Sequence, residues 1–346
     1  MAENIVKDQS SGTALTKKDF SSDQMVRWCP GCGDYAILSA IQNAMPKLNR
    51  KKEDFVFVSG IGCAARFPYY MNTYGFHTIH GRAPAVSTGV KLANPDLSVW
   101  QVTGDGDALA IGGNHFIHVL RRNIDINILL FNNEIYGLTK GQFSPTSRTG
   151  LVTKSTPTGV IDRPFSAGEL AVGANGTFFA RTIDTNPKLM TDIFVESAQH
   201  VGTSLIEILQ NCVIFNDKTH AAITSKETKD DFQLHLEHGK PMIFGKEKNK
   251  GIVLKGFKLE VVTLGENGVS EDDILVHDAS DEDPTLHMML IKMKPPHMPM
   301  ALGIIRAVKA PTYDQQVQNQ FEQVKASAKI KSMDELLSSG NIWTVE

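Results

Sequence analysis

The chain has 346 residues, of which 41% are hydrophobic, and a formal net charge of −3. It is long enough to bury a substantial core, either as one large domain with an appendage or as two domains, which excludes overall disorder. The negative charge and the lack of a basic block argue against nucleic-acid binding. No apolar run approaches the roughly 18 residues that a membrane span requires.

The first segment, residues 1–20, is polar and lacks the apolar core of a signal peptide. A cytoplasmic location follows by default. Residues 21–225 alternate strand and helix patterns, which predicts a doubly wound, mostly parallel α/β sheet. Residues 226–346 differ in composition and are expected to form a smaller C-terminal extension that serves as a subunit interface.

A pair of cysteines, Cys29 and Cys32, comes before the first predicted helix. The two residues between them, Pro and Gly, allow a tight turn that points both sulfurs at one metal centre. Asp34 is a candidate cap for the helix that follows. Its apolar residues recur at helical spacing, namely Ile37, Ile41, Ala44 and Leu48.

The next cysteine, Cys63, lies just past an apolar strand predicted at residues 55–58. The last, Cys212, follows a strand predicted at residues 205–209 in the same way. Both therefore belong at the carboxyl ends of parallel strands, and we expect all four cysteines to converge. Disulfides are disfavoured in a reducing cytosol.

Between these cysteines, Gly104-Asp105-Gly106 is followed after 25 intervening residues by Asn132-Asn133. Strands are predicted at residues 98–103 and 126–131, with a helix at residues 114–122 between them. Asp105 and Asn133 would thus lie past neighbouring strand ends, where open α/β sheets bind ligands.

This spacing has the form of a magnesium–diphosphate site. The Asp105 carboxylate, the Asn133 side-chain carbonyl and the Ile135 backbone carbonyl would supply oxygens to an octahedral Mg²⁺, with the diphosphate and a water completing the set. The prediction is thiamine diphosphate. A dinucleotide fingerprint fits poorly, because no complete G-x-G-x-x-G is present.

Four thiolates can hold zinc or an iron–sulfur cluster, and the ligands alone do not decide between them. One close pair plus two distant single cysteines, placed beside a cofactor site, favours a redox cluster.

Two further regions are distinctive. Residues 142–166 contain several prolines, serines and threonines without periodicity, which is typical of a lid, a partner-binding loop or a loop that projects into solvent. Residues 312–340 are predicted to form a terminal helix with an apolar face. The methionines between residues 288 and 300 are expected to fill gaps in the core, or to adapt to a subunit interface.

Five ordered motifs carry a resemblance to a known family. They are Trp28-Cys29-Pro30-Gly31-Cys32-Gly33-Asp34, Gly60-Ile61-Gly62-Cys63, His80-Gly81-Arg82-Ala83, Gly104-Asp105-Gly106-Asp107 with Ile111-Gly112-Gly113-Asn114-His115, and Asn132-Asn133-Glu134-Ile135-Tyr136-Gly137-Leu138-Thr139-Lys140-Gly141-Gln142. Together they resemble the β subunit of 2-oxoacid:ferredoxin oxidoreductases, with the 2-oxoglutarate type the closest match.

The resemblance implies thiamine diphosphate, Mg²⁺ and one [4Fe-4S] cluster on the four cysteines, with coenzyme A as co-substrate. It also implies an α subunit that carries the pyrimidine-binding domain, in an αβ or (αβ)₂ complex. The reaction would be oxidative decarboxylation of a 2-oxoacid, most simply 2-oxoglutarate to succinyl-CoA and CO2, with electrons passed to ferredoxin. The reverse, reductive carboxylation, is chemically open.

Individual residues then acquire expected roles. Backbone N–H groups and small residues are expected to line the diphosphate at Gly62, Cys63, Gly104, Gly106, Asp107, Gly137, Leu138 and Thr139. His80 would reach a phosphate oxygen or the substrate, or be structural. Arg66 and Lys140 would bind a substrate carboxylate, or be solvated or paired between subunits.

Three alternatives stay open at this point. One is the same chemistry on pyruvate or a branched-chain 2-oxoacid. Another is a zinc-stabilised α/β assembly protein without catalysis, which leaves the Asp105–Asn133 spacing accidental. The third is a non-redox thiamine decarboxylase or synthase, which has no need of four converging cysteines.

Overall fold

The computed structural model describes residues 15–343 and Val345. Most of the polar segment expected at residues 1–20 therefore lies outside the described residues. Its end, Lys17–Phe20, forms a 3-10 turn whose Phe20 is buried in the core.

Helices and strands alternate through most of the chain. The helices are α1 (Asp34–Ala44), α2 (Phe67–Tyr70), α3 (Ala83–Ala93), α4 (Asp105–Leu109), α5 (Gly113–Arg122), α6 (Ala167–Gly173), α7 (Pro187–Ser197), α8 (Ala221–Thr224), α9 (Lys229–Phe232), α10 (Thr285–Lys292), α11 (Tyr313–Ser327) and α12 (Met333–Leu337). The strands are β1 (Phe55–Ser59), β2 (Tyr74–His77), β3 (Ser98–Gly104), β4 (Asn127–Asn132), β5 (Phe178–Ile183), β6 (Ser204–Leu209), β7 (Gln233–His235), β8 (Ile243–Phe244), β9 (Lys250–Lys255), β10 (Lys258–Thr263) and β11 (Met300–Ala307).

An eight-stranded sheet organises the molecule. Its strand order is β2-β1-β3-β4-β6-β5-β11-β7. The first six strands in this order are parallel, while β11 pairs antiparallel with β5 and parallel with β7. The mostly parallel α/β sheet predicted from the sequence is therefore confirmed.

Helices cover both faces of this sheet. On one face Phe57 of β1 belongs to a core cluster with Ile37 of α1 and Phe194 of α7. The next residue along β1, Val58, belongs to the core cluster on the other face, with Phe116 of α5. Because successive strand residues point to opposite faces, the sheet has a hydrophobic core on each side, as the doubly wound prediction requires.

Four adjacent parallel strands, β1, β3, β4 and β6, end at the same edge of the sheet. The segments that leave these ends carry Cys63, Asp105, Asn133 and Cys212, respectively. The strand boundaries expected from the sequence differ from those observed by only one residue. The sheet edge therefore brings together groups that are up to about 150 residues apart in the chain.

The C-terminal region joins the main sheet. Its strands β7 and β11 form the end of the eight-stranded sheet, while β8, β9 and β10 make a separate antiparallel sheet. The division expected at residue 225 therefore runs between strands that share one sheet.

The terminal helix expected over residues 312–340 is interrupted. It ends at Ser327 and a short helix resumes at Met333. Phe321 and Val324, on the face expected to be apolar, are 54% and 65% exposed. These two side chains are therefore largely exposed among the described residues.

In the range that the structure describes, none of the helices combines the length and apolar character needed to cross a lipid bilayer.

The hydrophobic core on each face of the sheet should contribute measurably to the free energy of unfolding. Replacing fully buried Phe194 by Ala should lower the free energy of unfolding by about 3–5 kcal/mol, because the change removes core contacts and leaves a cavity. Phe257, in the turn between β9 and β10, is 99% exposed, and its replacement by Ala should cost less than about 0.5 kcal/mol. Urea unfolding of the two variants measures the difference; equal costs would contradict this packing.

Candidate functional site

A cavity of about 90 Å³ opens at the carboxyl ends of the central strands. Its wall consists of Asp34, Ile61, Gly62, Cys63, Ala64, His80, Gly104, Asp105, Gly106, Asp107, Phe131, Asn133, Ile135, Tyr136, Gly137, Leu138 and Thr139. Every residue expected to line the diphosphate or bind Mg²⁺ is among them, including the backbone ligand Ile135. The structure thus brings the predicted diphosphate- and Mg²⁺-binding residues together, while their binding roles remain predictions.

The Asp105 carboxylate lies in this wall and is only 2% exposed. Its Oδ2 accepts hydrogen bonds from the hydroxyls of Ser144 and Thr146. Burial raises the pKa of Asp105 to about 6, although these two hydrogen bonds oppose the shift. Among the described residues no Lys, Arg or His pairs with it. A buried carboxylate without a cationic partner suits a divalent cation, whose charge would stabilise the ionised form.

A tight turn presents the other two predicted metal ligands. Glu134 adopts a left-handed conformation, with φ at 56°. The turn brings the Ile135 N–H to the Asn133 side-chain oxygen, at 3.2 Å. Asn216 supports it by donating to the Asn133 carbonyl, at 2.9 Å. Asn133 and Ile135 therefore both contribute to the cavity wall, although only one residue separates them.

Asp107 ties the site's loops together. Its carboxylate accepts hydrogen bonds from the backbone N–H groups of Ile61 and Gly81 and from the Thr103 hydroxyl. The His80 Nδ1 also lies 2.7 Å from this carboxylate. Asp107 thus joins the segments that follow β1, β2 and β3. His80 lines the cavity beside this carboxylate, and its role at a phosphate or at the substrate remains a prediction.

Gly106 allows a close approach by Tyr136. A Cβ added at Gly106 would lie 2.3 Å from Cε1 of the Tyr136 ring. The Tyr136 hydroxyl donates to the Gly106 carbonyl, at 2.9 Å. The glycine is therefore required by packing as well as by the backbone path expected for a diphosphate site.

The four cysteines also converge, and all are free thiols. A Cβ built on Gly137 would lie 3.5 Å from the sulfur of Cys63 and 3.6 Å from that of Cys212. Burial raises the pKa of the Cys63 thiol to about 12, and Asp34, Cys212 and Cys29 contribute to the increase.

Cys32 belongs to the same group. Burial raises the pKa of its thiol as well, and Asp34, Cys212 and Cys63 add smaller charge effects. In the described part of the chain, however, no three His, Cys, Asp or Glu side chains are placed to hold a single metal ion. The thiols are near one another, and Cys63 belongs both to this group and to the cavity wall.

The two cations expected to bind substrate are absent from the cavity wall. Arg66 donates from Nε to the Tyr70 hydroxyl at 3.0 Å, and Lys140 is exposed. Lys140 has a positive φ of 76°, in the turn that continues from the cavity. A role for either residue at the substrate remains a prediction.

Sequence reasoning missed three polar residues at this site. Ser144 and Thr146 contact Asp105, and Tyr136 covers Gly106. The two hydroxyl residues belong to the segment at residues 142–166, which has no helix or strand but has buried side chains at Ser144, Thr146 and Ser147. The high frequency of Ser and Thr directly after the predicted metal ligands is the sequence signal that could have revealed these two hydroxyl residues.

The fold and the site define a thiamine-dependent enzyme domain. A family model described as the C-terminal, TPP-binding domain of thiamine pyrophosphate enzymes matches residues 60–208. This range contains Cys63, Asp105 and Asn133, and it ends just before Cys212.

Comparison with whole proteins identifies the family. A 2-oxoglutarate oxidoreductase subunit KorB from Mycobacterium tuberculosis is 50% identical over 332 residues, which cover 95% of this chain and 88% of the relative. A 2-oxoglutarate synthase subunit KorB from Archaeoglobus fulgidus is 39% identical over 248 residues, covering 69% of this chain and 92% of that protein. The chain belongs to the β subunits of 2-oxoacid:ferredoxin oxidoreductases.

A solved structure agrees with this assignment. The 2-oxoglutarate:ferredoxin oxidoreductase from Magnetococcus marinus, with 2-oxoglutarate, coenzyme A and succinyl-CoA bound, matches with a TM-score of 0.75 and 29% identity. The match covers 95% of this chain and 97% of that one. The similarity therefore includes the C-terminal region as well as the cofactor-binding sheet.

The contact between Gly106 and Tyr136 gives a test of the cavity. Gly106→Ala should force the ring away, lower stability by about 1–3 kcal/mol and reduce thiamine diphosphate binding. Gly113→Ala is the matched control, because an added Cβ there meets no atom within 4 Å. Thermal unfolding and calorimetric titration with the cofactor would measure both effects, and identical behaviour of the two variants would contradict the packing.

Proposed function

We propose that this chain is the β subunit of a 2-oxoglutarate:ferredoxin oxidoreductase. The complex would convert 2-oxoglutarate and coenzyme A to succinyl-CoA and CO2, and pass two electrons, one at a time, to ferredoxin. The observation that carries the proposal is that Cys63 belongs to two sites at once. It lines the predicted cofactor cavity, and its sulfur lies with that of Cys212 near Gly137. Carbon chemistry and electron transfer would therefore meet at one sheet edge.

The residues of the cavity fit thiamine diphosphate with Mg²⁺. Asp105, Asn133 and the Ile135 carbonyl would hold the cation, and the glycine-rich wall would admit the diphosphate closely. When bound, thiamine diphosphate supplies the carbanion chemistry that decarboxylation of a 2-oxoacid requires. The chain's own contribution is to hold and orient the cofactor. Asp107 and Tyr136 would keep the surrounding loops in place while it is held.

We propose one [4Fe-4S] cluster on Cys29, Cys32, Cys63 and Cys212. Their convergence supports this assignment, as does the side-chain amide of Gln210, which donates to the Cys32 sulfur at 3.3 Å. Cys29 is exposed whereas the other three are half-buried, so one side of the cluster would face an external electron carrier. A cytoplasmic location is consistent with four thiols kept reduced for this role.

An α subunit would complete the active site. Apolar side chains are exposed around the cavity: Leu138 in its wall is 52% exposed, and Ile79, next to His80, is 74% exposed. The edge strand β2 adds Tyr74 and Phe76, at 63% and 47% exposed. Exposed apolar groups beside a ligand site are typical of a protein interface. We propose that the pyrimidine-binding domain of the α subunit docks on this surface, in an αβ or (αβ)₂ complex.

Metal analysis tests the cluster. The complex purified without oxygen should be brown, with about four irons per β chain and little zinc. Cys63→Ala should lose most of this iron, because one of four ligands is removed. Stoichiometric zinc in a colourless wild-type complex would instead support a zinc-stabilised assembly protein.

A substrate panel tests the reaction. With coenzyme A and ferredoxin, the complex of this chain with its α subunit should show the highest kcat/KM on 2-oxoglutarate. Pyruvate and a branched-chain 2-oxoacid serve as the comparison substrates. A preference for either would leave the family assignment intact and overturn the choice of substrate, whereas inactivity on all three would contradict the proposed reaction.

Arg66 and Lys140 are proposed to recognise the second carboxylate of 2-oxoglutarate. Replacing either by Met should raise the KM for 2-oxoglutarate by roughly 10–100-fold, the effect of losing a charged hydrogen bond. The KM for pyruvate, which lacks that carboxylate, should change little. Lys154→Met removes an exposed cation elsewhere and provides a control. An equal rise for both substrates would contradict selective recognition of the second carboxylate.

A further inference from the structure

We propose that Ser144 and Thr146 are positioning residues for the metal-binding carboxylate of Asp105. The inference rests on the proposed function, because it concerns how the chain prepares its cation site. Both hydroxyls donate to the same carboxylate oxygen, Oδ2. The other oxygen, Oδ1, receives no side-chain hydrogen bond among the described residues. The pair therefore holds one oxygen in place and leaves the other for the cation.

The surroundings make this arrangement rigid. Ser144, Thr146 and Asp105 are 2%, 4% and 2% exposed, so water cannot readily replace either hydroxyl. Removing one donor would therefore leave the carboxylate with fewer partners in a buried setting and free it to rotate. Outer partners of this kind orient a metal ligand and tune its affinity for the ion.

A short turn fixes the two hydroxyls relative to each other. The backbone N–H of Ser144 donates to the Ser147 hydroxyl oxygen, at 2.8 Å. The Ser147 hydroxyl donates in turn to the Glu134 carbonyl, beside the predicted metal ligand Asn133. Residues 144–147 are thus attached through Ser147 to the turn that contains Asn133. From there Ser144 and Thr146 contact the Asp105 carboxylate, which follows β3.

A second chain of contacts holds Thr146 from behind. Its hydroxyl lies 3.0 Å from the side-chain oxygen of Asn132, whose amide nitrogen donates to Glu207 at 2.8 Å. Glu207 is paired with Arg181, also buried, at 2.7 Å. Because the Glu207 carboxylate requires a donor, it fixes the orientation of the Asn132 amide and turns the amide oxygen towards Thr146.

The single hydroxyl proton of Thr146 thus has three acceptors within reach, namely Asp105, Asn132 and the Ser144 hydroxyl oxygen. A carboxylate is the strongest acceptor of the three, so the proton goes to Asp105. Thr146 would therefore act through Asp105 without touching cofactor or substrate, and its contribution should appear in cation affinity.

The experiment measures Mg²⁺ affinity in the complex of this chain with its α subunit. Metal and cofactor are removed with EDTA, saturating thiamine diphosphate is added, and Mg²⁺ is titrated by calorimetry. Ser144→Ala and Thr146→Val should each raise the apparent Kd for Mg²⁺ by about tenfold, and the double variant by up to about 100-fold. Thr146→Ser retains the hydroxyl and should restore affinity to near the wild-type value.

Thr149→Val is the matched control. Thr149 lies on the same segment, but its hydroxyl donates to the Asp162 carbonyl at 2.7 Å and makes no contact with Asp105. This variant should bind Mg²⁺ as the wild type does. Thermal unfolding of each variant shows whether the fold is retained, and Thr146→Ser and Ser144→Ala provide readings if Thr146→Val fails to fold.

The outcomes separate two failures. If the wild-type complex shows no Mg²⁺-dependent cofactor binding, or if Asp105→Ala binds as tightly as the wild type, the proposed cation site itself is wrong. If those two behave as expected while Ser144→Ala, Thr146→Val and the double variant match the wild type, the positioning role is wrong. An equal loss of affinity in Thr149→Val would also overturn it, since general loosening of the segment would then explain the effect.

Discussion

The parallel alignment of β1, β3, β4 and β6 is the constraint on which the site depends. Because these four strands are neighbours and run the same way, the segments leaving them must begin at one edge of the sheet. Cys63, Asp105, Asn133 and Cys212 lie in those segments. Reversing one strand would move its residue to the opposite edge, so the sheet itself determines that the predicted diphosphate site lies beside Cys63 and Cys212.

The strands place these groups approximately, and buried polar contacts place them accurately. Asp107 accepts from two loops and a strand residue, while Ser144 and Thr146 hold Asp105. Such contacts are strong where water is excluded, and the loss of any one leaves a buried group without its partner. The site is therefore rigid on the side formed by this chain. Its other side carries exposed apolar residues such as Ile79 and Leu138, where the α subunit is proposed to dock.

The sequence was sufficient for the sheet and for most of the cavity wall, because apolar strands and the glycines around Asp105 are local signals. It also anticipated that Cys212 would approach Cys63, since both follow apolar strands. It did not reveal the bonds from Ser144 and Thr146 to Asp105, because these contacts span about 40 residues and depend on how an aperiodic segment folds back. The break at Ser327 in the terminal helix was missed for a different reason. Phe321 and Val324, on the face expected to be apolar, are largely exposed among the described residues, so burial of that face does not extend the helix.

The central claim is that oxidation of the substrate and reduction of the cluster occur side by side on this chain. The most direct test mixes the anaerobic complex with 2-oxoglutarate in the absence of ferredoxin and follows the cluster by electron paramagnetic resonance. The account predicts that the signal of a reduced [4Fe-4S] cluster appears as CO2 is released, and that the Cys63→Ala complex lacks it. Release of CO2 by the wild-type complex while its cluster stays oxidised would contradict the account.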